Sequence, residues 1–406
     1  MHAKPQAPYP QRPCPICLGR ESKILFHQTF ATFSESSLMD GYDVVICKTC
    51  GGCFADAIPA QEAFDRYYAE MSKYTHGDTD GKISRIDGER FQQVADSVAP
   101  YVQPHESIVD VGCATGGLLA EFKRRGHRNL MGFDPSSACA ETARRLYDIE
   151  VRPVTINQLG RVTERFDVMM LTGVFEHLCD LESSVALLTR LFKPGGRLYL
   201  EVPDASTYFK WYSAPLQFFS MEHINFFSPK SLANLLGRHG FACNFSNRVK
   251  RFLGPRAVEP AVSALFTHTG EPASMAYDNE TAPGVQKYID LSRALEARIH
   301  GVIDHLVQSR VSLAVWGAGT HTLRLLKTSS LAKTNLVAFL DSNSAYQGKT
   351  LQGIPILAPD KFDPRDTTIL ISSHVFEQEI KDRIQNQLRW PNKLVCLYEE
   401  APTGLS

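Results

Sequence analysis

Two kinds of hydrophobic spacing alternate along most of this chain. Short apolar runs bounded by glycine and polar residues read as buried strands at Ser107 to Val111, Asn129 to Phe133 and Arg197 to Val202. Between them, apolar residues recur at helical spacing over Gly117 to Arg125 and Ser183 to Phe192. Strands separated by helices of this length predict an α/β fold, a parallel sheet covered on both faces, over about Phe91 to Val249. The pattern then breaks at THTGEPASMAYDNETAPG (267–284), whose Pro, Gly and polar residues predict a linker or lid. A helix follows over about Val285 to Gln308, with Leu295, Ile299, Val302 and Leu306 on one stripe. Strands at Leu313 to Trp316, Leu336 to Leu340 and Ile369 to Ser372 make a second α/β unit. No internal repeat at solenoid spacing is present. The chain therefore divides into a cysteine-rich module (1–72), an α/β domain (73–252) and a C-terminal helix with a second, Rossmann-like α/β domain (253–406).

Length and charge narrow the classes. At ~150 residues per domain, 406 residues fit two or three domains. Forty-three basic against 44 acidic side chains leave a formal charge of −1, which gives no hold on a phosphate backbone, so nucleic acid is not an expected partner. No apolar run reaches the ~20 residues that span a bilayer, so no membrane is expected as a partner. Met1 to Pro13 lacks the apolar stretch of a secretory signal. These features predict a soluble, cytoplasmic protein.

Half of the ten cysteines lie in the first 53 residues. Cys14-Pro-Ile-Cys17 and Cys47-Lys-Thr-Cys50 form two CxxC knuckles, a spacing that lets four thiolates converge on a tetrahedral Zn²⁺. A closed Cys₄ site leaves no open coordination position, so the expected metal is structural and substitutes for a core the short segment lacks. Four unrelated buried thiols, or redox chemistry at one CxxC, are the alternatives. Cys53 is a spare.

The strand at Val109 runs into Asp110-Val-Gly112-Cys113-Ala114-Thr115-Gly116-Gly117, which opens a helix. Glycines at such a turn let backbone approach a ligand closely. The order is Asp-x-Gly-x-x-x-Gly rather than Gly-x-Gly-x-x-Gly, and an acid at the strand end repels phosphate while suiting a cation such as a sulfonium. The next strand ends in Asp134-Pro135, placing a carboxylate that can accept ribose hydroxyls. With Arg165-Phe-Asp-Val168, Val174-Phe-Glu176-His177-Leu178 and Leu191-Phe-Lys-Pro-Gly-Gly196, the span from about Ser107 to Val202 resembles the class I S-adenosylmethionine-dependent methyltransferases. The resemblance implies S-adenosyl-L-methionine as cofactor. It also implies a cofactor site drawn from Asp110, Gly112, Cys113, Ala114, Gly116, Asp134, Pro135 and Thr172.

An N-terminal zinc module and a C-terminal α/β unit around such a domain resemble the C-methyltransferases of nucleotide-linked keto-deoxysugars. In that family a Tyr-x-Glu-His segment supplies the acid–base group; here the segment reads Ser220-Met-Glu222-His223, with Ser at the Tyr position. The resemblance implies that His223 removes a proton next to a ketone, with Glu222 orienting it. It leaves the enolate oxygen in need of a donor, for which His177 and Tyr74 are candidates. The C-terminal turn, Trp316-Gly317-Ala318-Gly319 with Asp341 beyond, resembles half of a dinucleotide fold; it holds the nucleotide of a substrate or serves as a structural cap. The expected acceptor is a small molecule such as a nucleotide-linked sugar. An O- or N-acceptor, or a silent cofactor-binding scaffold, is the alternative.

Overall fold

A computed structural model describes residues 11–31, 38–71, 83–211, 213–252 and 257–398. Three sheets organise them. The first joins β1 (Ser22–Thr29), β2 (Gly41–Cys47) and β3 (Cys53–Asp56), all antiparallel, and takes β9 (Asn225–Phe226) as its fourth strand. α1 (Gln61–Met71) follows it in the chain. The central sheet is built from β4 (Ile108–Val111), β5 (Leu130–Asp134), β6 (Val151–Pro153), β7 (Phe166–Thr172), β8 (Phe192–Pro203), β10 (Phe241–Phe252) and β11 (Val258–His268). Its order is β10-β11-β8-β7-β4-β5-β6. The last sheet has the order β14-β15-β13-β12-β16-β17. Its strands are β12 (Ser312–Trp316), β13 (Asn335–Leu340), β14 (Thr350–Leu351), β15 (Ile354–Leu357), β16 (Thr367–Ile371) and β17 (Leu394–Cys396).

Central strands of a covered parallel sheet see apolar neighbours on both sides, and β4, with sequence IVDV, is buried at every position. α2 (Arg85–Val98), α3 (Gly117–Arg124), α4 (Ser137–Tyr147) and α5 (Leu181–Thr189) cover this sheet, α3 turning Leu118, Leu119 and Phe122 inward. α3 starts where Gly116 adopts φ +79 and ends before Gly126 at φ +98, a left-handed backbone that favours glycine at both ends. α6 (Pro229–Arg238) begins at a Ser228 cap with proline in its first turn.

The sheet departs from the all-parallel expectation. β11 runs antiparallel to both β8 and β10. Only five residues separate β10 from β11, too few for the crossover that parallel neighbours require. This sheet therefore continues to His268, past residue 252.

Thr267 to Gly284 is neither a free linker nor a lid. After β11, the chain is pinned to α6 by Ala273 N donating to Gly237 O (2.8 Å) and to the second cysteine knuckle by Asp278 N donating to Cys50 O (2.8 Å). The Asp278 carboxylate, 1% exposed, accepts from Ser228 Oγ and Thr281 Oγ1, both at 2.6 Å. α7 (Thr281–Ser309) starts at that anchor and buries Ile299, Ile303 and Leu306 against the C-terminal sheet. α8 (Thr320–Thr328) and α9 (Glu377–Asp382) pack on the same sheet. The N-terminal segment has no separate core: Cys14, Ile16, Val45 and Phe54 share one apolar cluster with Phe175 and Phe227. Among the described residues, no helix is long and apolar enough to cross a membrane.

Candidate active site

At the C-terminal ends of β4, β5 and β7 the chain leaves a cavity of about 320 Å³. Ligands sit at this edge in open α/β sheets because helix N-termini and strand-end loops converge there. Of the residues expected to hold a cofactor, Gly112, Ala114, Asp134, Pro135 and Thr172 line the cavity. Gly112 adopts φ +76, and a Cβ there would meet Val174 Cγ2 at 2.6 Å, so no larger residue fits the turn unchanged. Asp134 accepts from Ala114 N (2.8 Å) and Ser136 N (2.9 Å), which fixes the loop and leaves its remaining lone pairs toward the cavity.

Asp110, Cys113 and Gly116 do not line it. Cys113 is buried with its sulfur against Gly132, and Gly116 serves as the left-handed start of α3. Asp110 lies beneath the loop, 2% exposed, and its Oδ1 is buried without a hydrogen-bond partner among the described residues. Burial, with Asp134 nearby, pushes its carboxyl up to about 8 against the opposing pull of Arg90. A buried carboxylate in that position is satisfied by a cation, and S-adenosylmethionine carries two, an ammonium and a sulfonium. The residues present therefore fit that cofactor.

Across the cavity lie Glu222, His223, Glu176 and His177. Tyr74 falls outside the described residues. His177 Nδ1 lies 3.0 Å from the backbone carbonyl of Glu222, and its ring meets that of His223 edge-on, centroids 5.0 Å apart. The Glu222 carboxylate accepts from Tyr67 Oη at 3.0 Å. Tyr67, on α1, thus helps to hold the Glu222 carboxylate in place. Burial and the adjacent Glu222 charge raise the Tyr67 phenol above its ordinary range, so it stays a donor. Ser220 does not line the cavity; its Oγ accepts from His223 N (3.2 Å) and closes the turn that presents Glu222.

The sequence reading missed Tyr67, Glu176 as a cavity residue, and a charged floor. Arg90 pairs with Glu201 at 2.7 Å, and Arg251 reaches Glu259 (3.3 Å) and Glu201 (3.5 Å). α2, β8, β10 and β11 supply these side chains, and no local spacing connects them.

The four knuckle thiols also converge. Cys14 and Cys50 sulfurs are 3.6 Å apart, Cys17 and Cys47 3.5 Å, and all four lie within 4.8 Å of one another. Sulfurs around a tetrahedral zinc at ~2.3 Å stand ~3.8 Å apart, so the set fits Zn²⁺.

A Rossmann-like sheet with an acidic strand end, a glycine turn and a second strand-end carboxylate is similar to the arrangement in class I S-adenosylmethionine-dependent methyltransferase domains. Residues 86–244 match a family model described as a methyltransferase domain. The ubiquinone biosynthesis O-methyltransferase of Alkalilimnicola ehrlichii is 39% identical over 98 residues, 22% of this chain and 39% of that protein. Its counterpart in Rhizobium rhizogenes is 32% identical over 98 residues, 23% and 39%. The chain thus spans about two-fifths of the length of the curated relatives it matches. Among solved structures, the 1,6-didemethyltoxoflavin-N1-methyltransferase of Burkholderia thailandensis overlaps 55% of this chain and 97% of its own, at 20% identity and a TM-score of 0.40. The magnesium protoporphyrin IX methyltransferase of Synechocystis PCC 6803 overlaps 52% and 100%, at 14% identity and 0.39.

Proposed function

We propose that this protein is an S-adenosylmethionine-dependent C-methyltransferase acting on a carbon next to a carbonyl in a small, nucleotide-linked sugar. The observation that carries the reading is a single cavity with the cofactor-type loop on one wall and Glu222, His177 and His223 on the other. When bound, the cofactor supplies an electrophilic methyl group. Gly112, Ala114 and Asp134 hold it. A carbon beside a ketone becomes nucleophilic once its proton is removed. Glu222, fixed by Tyr67, takes that proton, and His177 and His223 flank the oxygen on which charge develops.

A second cavity of about 740 Å³ supports the nucleotide handle. Its turn repeats the first. Gly317 N donates to Leu340 O (2.8 Å) as Gly112 N does to Phe133 O (2.7 Å). Asp341 accepts from Ala318 N and Asn343 N, both at 2.8 Å, as Asp134 does from Ala114 and Ser136. Phe218 borders the larger cavity while Glu222 and His223 border the smaller, so one segment flanks both. An acceptor with a nucleotide in one and a reactive sugar in the other fits this layout. Cys14, Cys17, Cys47 and Cys50 hold a structural zinc in the same reading.

Incubation with nucleotide-linked 4-keto sugars in deuterated water tests the proposal: deuterium enters the carbon beside the ketone, and cofactor adds one methyl there. O-methyl transfer is the second reading, favoured by the 39% identity over 98 residues to an O-methyltransferase. A product methylated on oxygen, without deuterium wash-in, selects it.

A further inference from the structure

We propose that Glu176, His177 and His223 bind a divalent transition-metal ion inside the catalytic cavity, and that this ion holds the oxygen of the acceptor. The inference rests on the methyltransferase reading for the acceptor, not for the ion. One ligand atom from each of the three residues lies within 4.8 Å of the other two, and all three residues border the cavity. Bond lengths near 2.1 Å require the three side chains to close in on the ion.

Glu176 already faces one cation, Arg251 Nη1 at 4.0 Å from its Oε1, and its second oxygen points to a further ligand. It is 1% exposed, and its Oε2 is buried without a hydrogen-bond partner among the described residues. A carboxylate oxygen in that state costs stability until a cation meets it. Its Oε1 stands 3.9 Å from His177 Nε2, too long for a hydrogen bond and suited to two ligands of one ion.

The tautomer of His177 agrees. A carbonyl oxygen only accepts, so the 3.0 Å contact between Nδ1 and Glu222 O puts the proton on Nδ1 and the lone pair on Nε2, on the Glu176 side. Metal-bound histidines are held this way, the outer nitrogen donating to a carbonyl or carboxylate. Two imidazoles and one carboxylate suit Mn²⁺, Fe²⁺ or Zn²⁺ rather than Ca²⁺, and leave coordination positions open for an acceptor oxygen. Asp65, Asp134, Glu176 and Glu222 outnumber Arg90 and Arg251 around the cavity, a field that favours a cation. An ion held here polarises the acceptor oxygen as a Lewis acid.

The test is Mn²⁺ titration of the full chain, followed by electron paramagnetic resonance. The expected result is one bound Mn²⁺ per chain beyond any metal on the cysteine knuckles, with affinity falling about tenfold or more in Glu176→Gln and in His223→Gln. S-adenosylhomocysteine binding, measured in parallel, reports the cofactor loop of each variant. Wild-type protein that binds S-adenosylhomocysteine but no Mn²⁺, or variants that bind Mn²⁺ as well as wild type, overturns the ion site. Failure to bind S-adenosylhomocysteine overturns the methyltransferase reading instead, and the Mn²⁺ signal still decides the ion.

Discussion

Asp110→Asn changes one oxygen to nitrogen and removes one buried ionisable group. Burial first, and Asp134 second, hold this carboxyl at about 8, against 3.8 for an unperturbed group. The folded chain therefore retains a proton that the unfolded chain has released between those two values. Stability from this group is fully present below pH ~4 and is lost as pH rises through 8. The slope is at most ~1.4 kcal/mol per pH unit, or up to about 3 kcal/mol between pH 6 and 8, which corresponds to roughly 6–10 °C in Tm for a unit of this size. Differential scanning fluorimetry of wild type and Asp110→Asn across that range is the assay. Wild type should lose stability as pH rises, and the variant should lose markedly less. Saturating S-adenosylhomocysteine, which keeps its ammonium, should flatten the wild-type profile, and its affinity should fall about tenfold in the variant, as expected for a lost charged contact. Parallel pH profiles for the two proteins, together with equal affinity for the ligand, would refute the placement of a cation over Asp110.

Three further outcomes follow from the same structure. Tyr67→Phe removes the donor to Glu222 and should lower the methyl-transfer rate about tenfold, while leaving S-adenosylhomocysteine affinity unchanged by calorimetry. Elemental analysis should find zinc on the cysteine knuckles, and Cys47→Ser should cost several kcal/mol of stability, read as a large fall in Tm; unchanged Tm and absent zinc contradict the Cys₄ site. Asp278→Ala leaves Ser228 and Thr281 without their acceptor and should destabilise by about 2–3 kcal/mol in urea unfolding.

Signals confined to a few neighbouring residues were legible in the sequence. The run from Asp110 to Gly117 and the strand ending at Asp134 carry their chemistry in local spacing, and the structure folds them into one loop over one cavity edge. The two CxxC knuckles announce themselves in the same way. What sequence spacing could not show depends on distant pairings. β11 lies antiparallel because its link to β10 is short, and the central sheet therefore reaches His268. The stretch from 269 to 280 is polar and rich in Pro and Gly, which reads as a loose linker, yet Asp278 finds buried donors on two other elements. Tyr67 meets Glu222 across 155 positions, and the pairing of Arg90 with Glu201 spans 111. Each of these contacts needs the fold before it exists.

Titration calorimetry of the full chain tests the central claim most directly. S-adenosylmethionine and S-adenosylhomocysteine should each bind at one site per chain, and Gly112→Val should abolish that binding because its side chain would enter the space of Val174. Heat from NAD, with none from either sulfur compound, would contradict the claim.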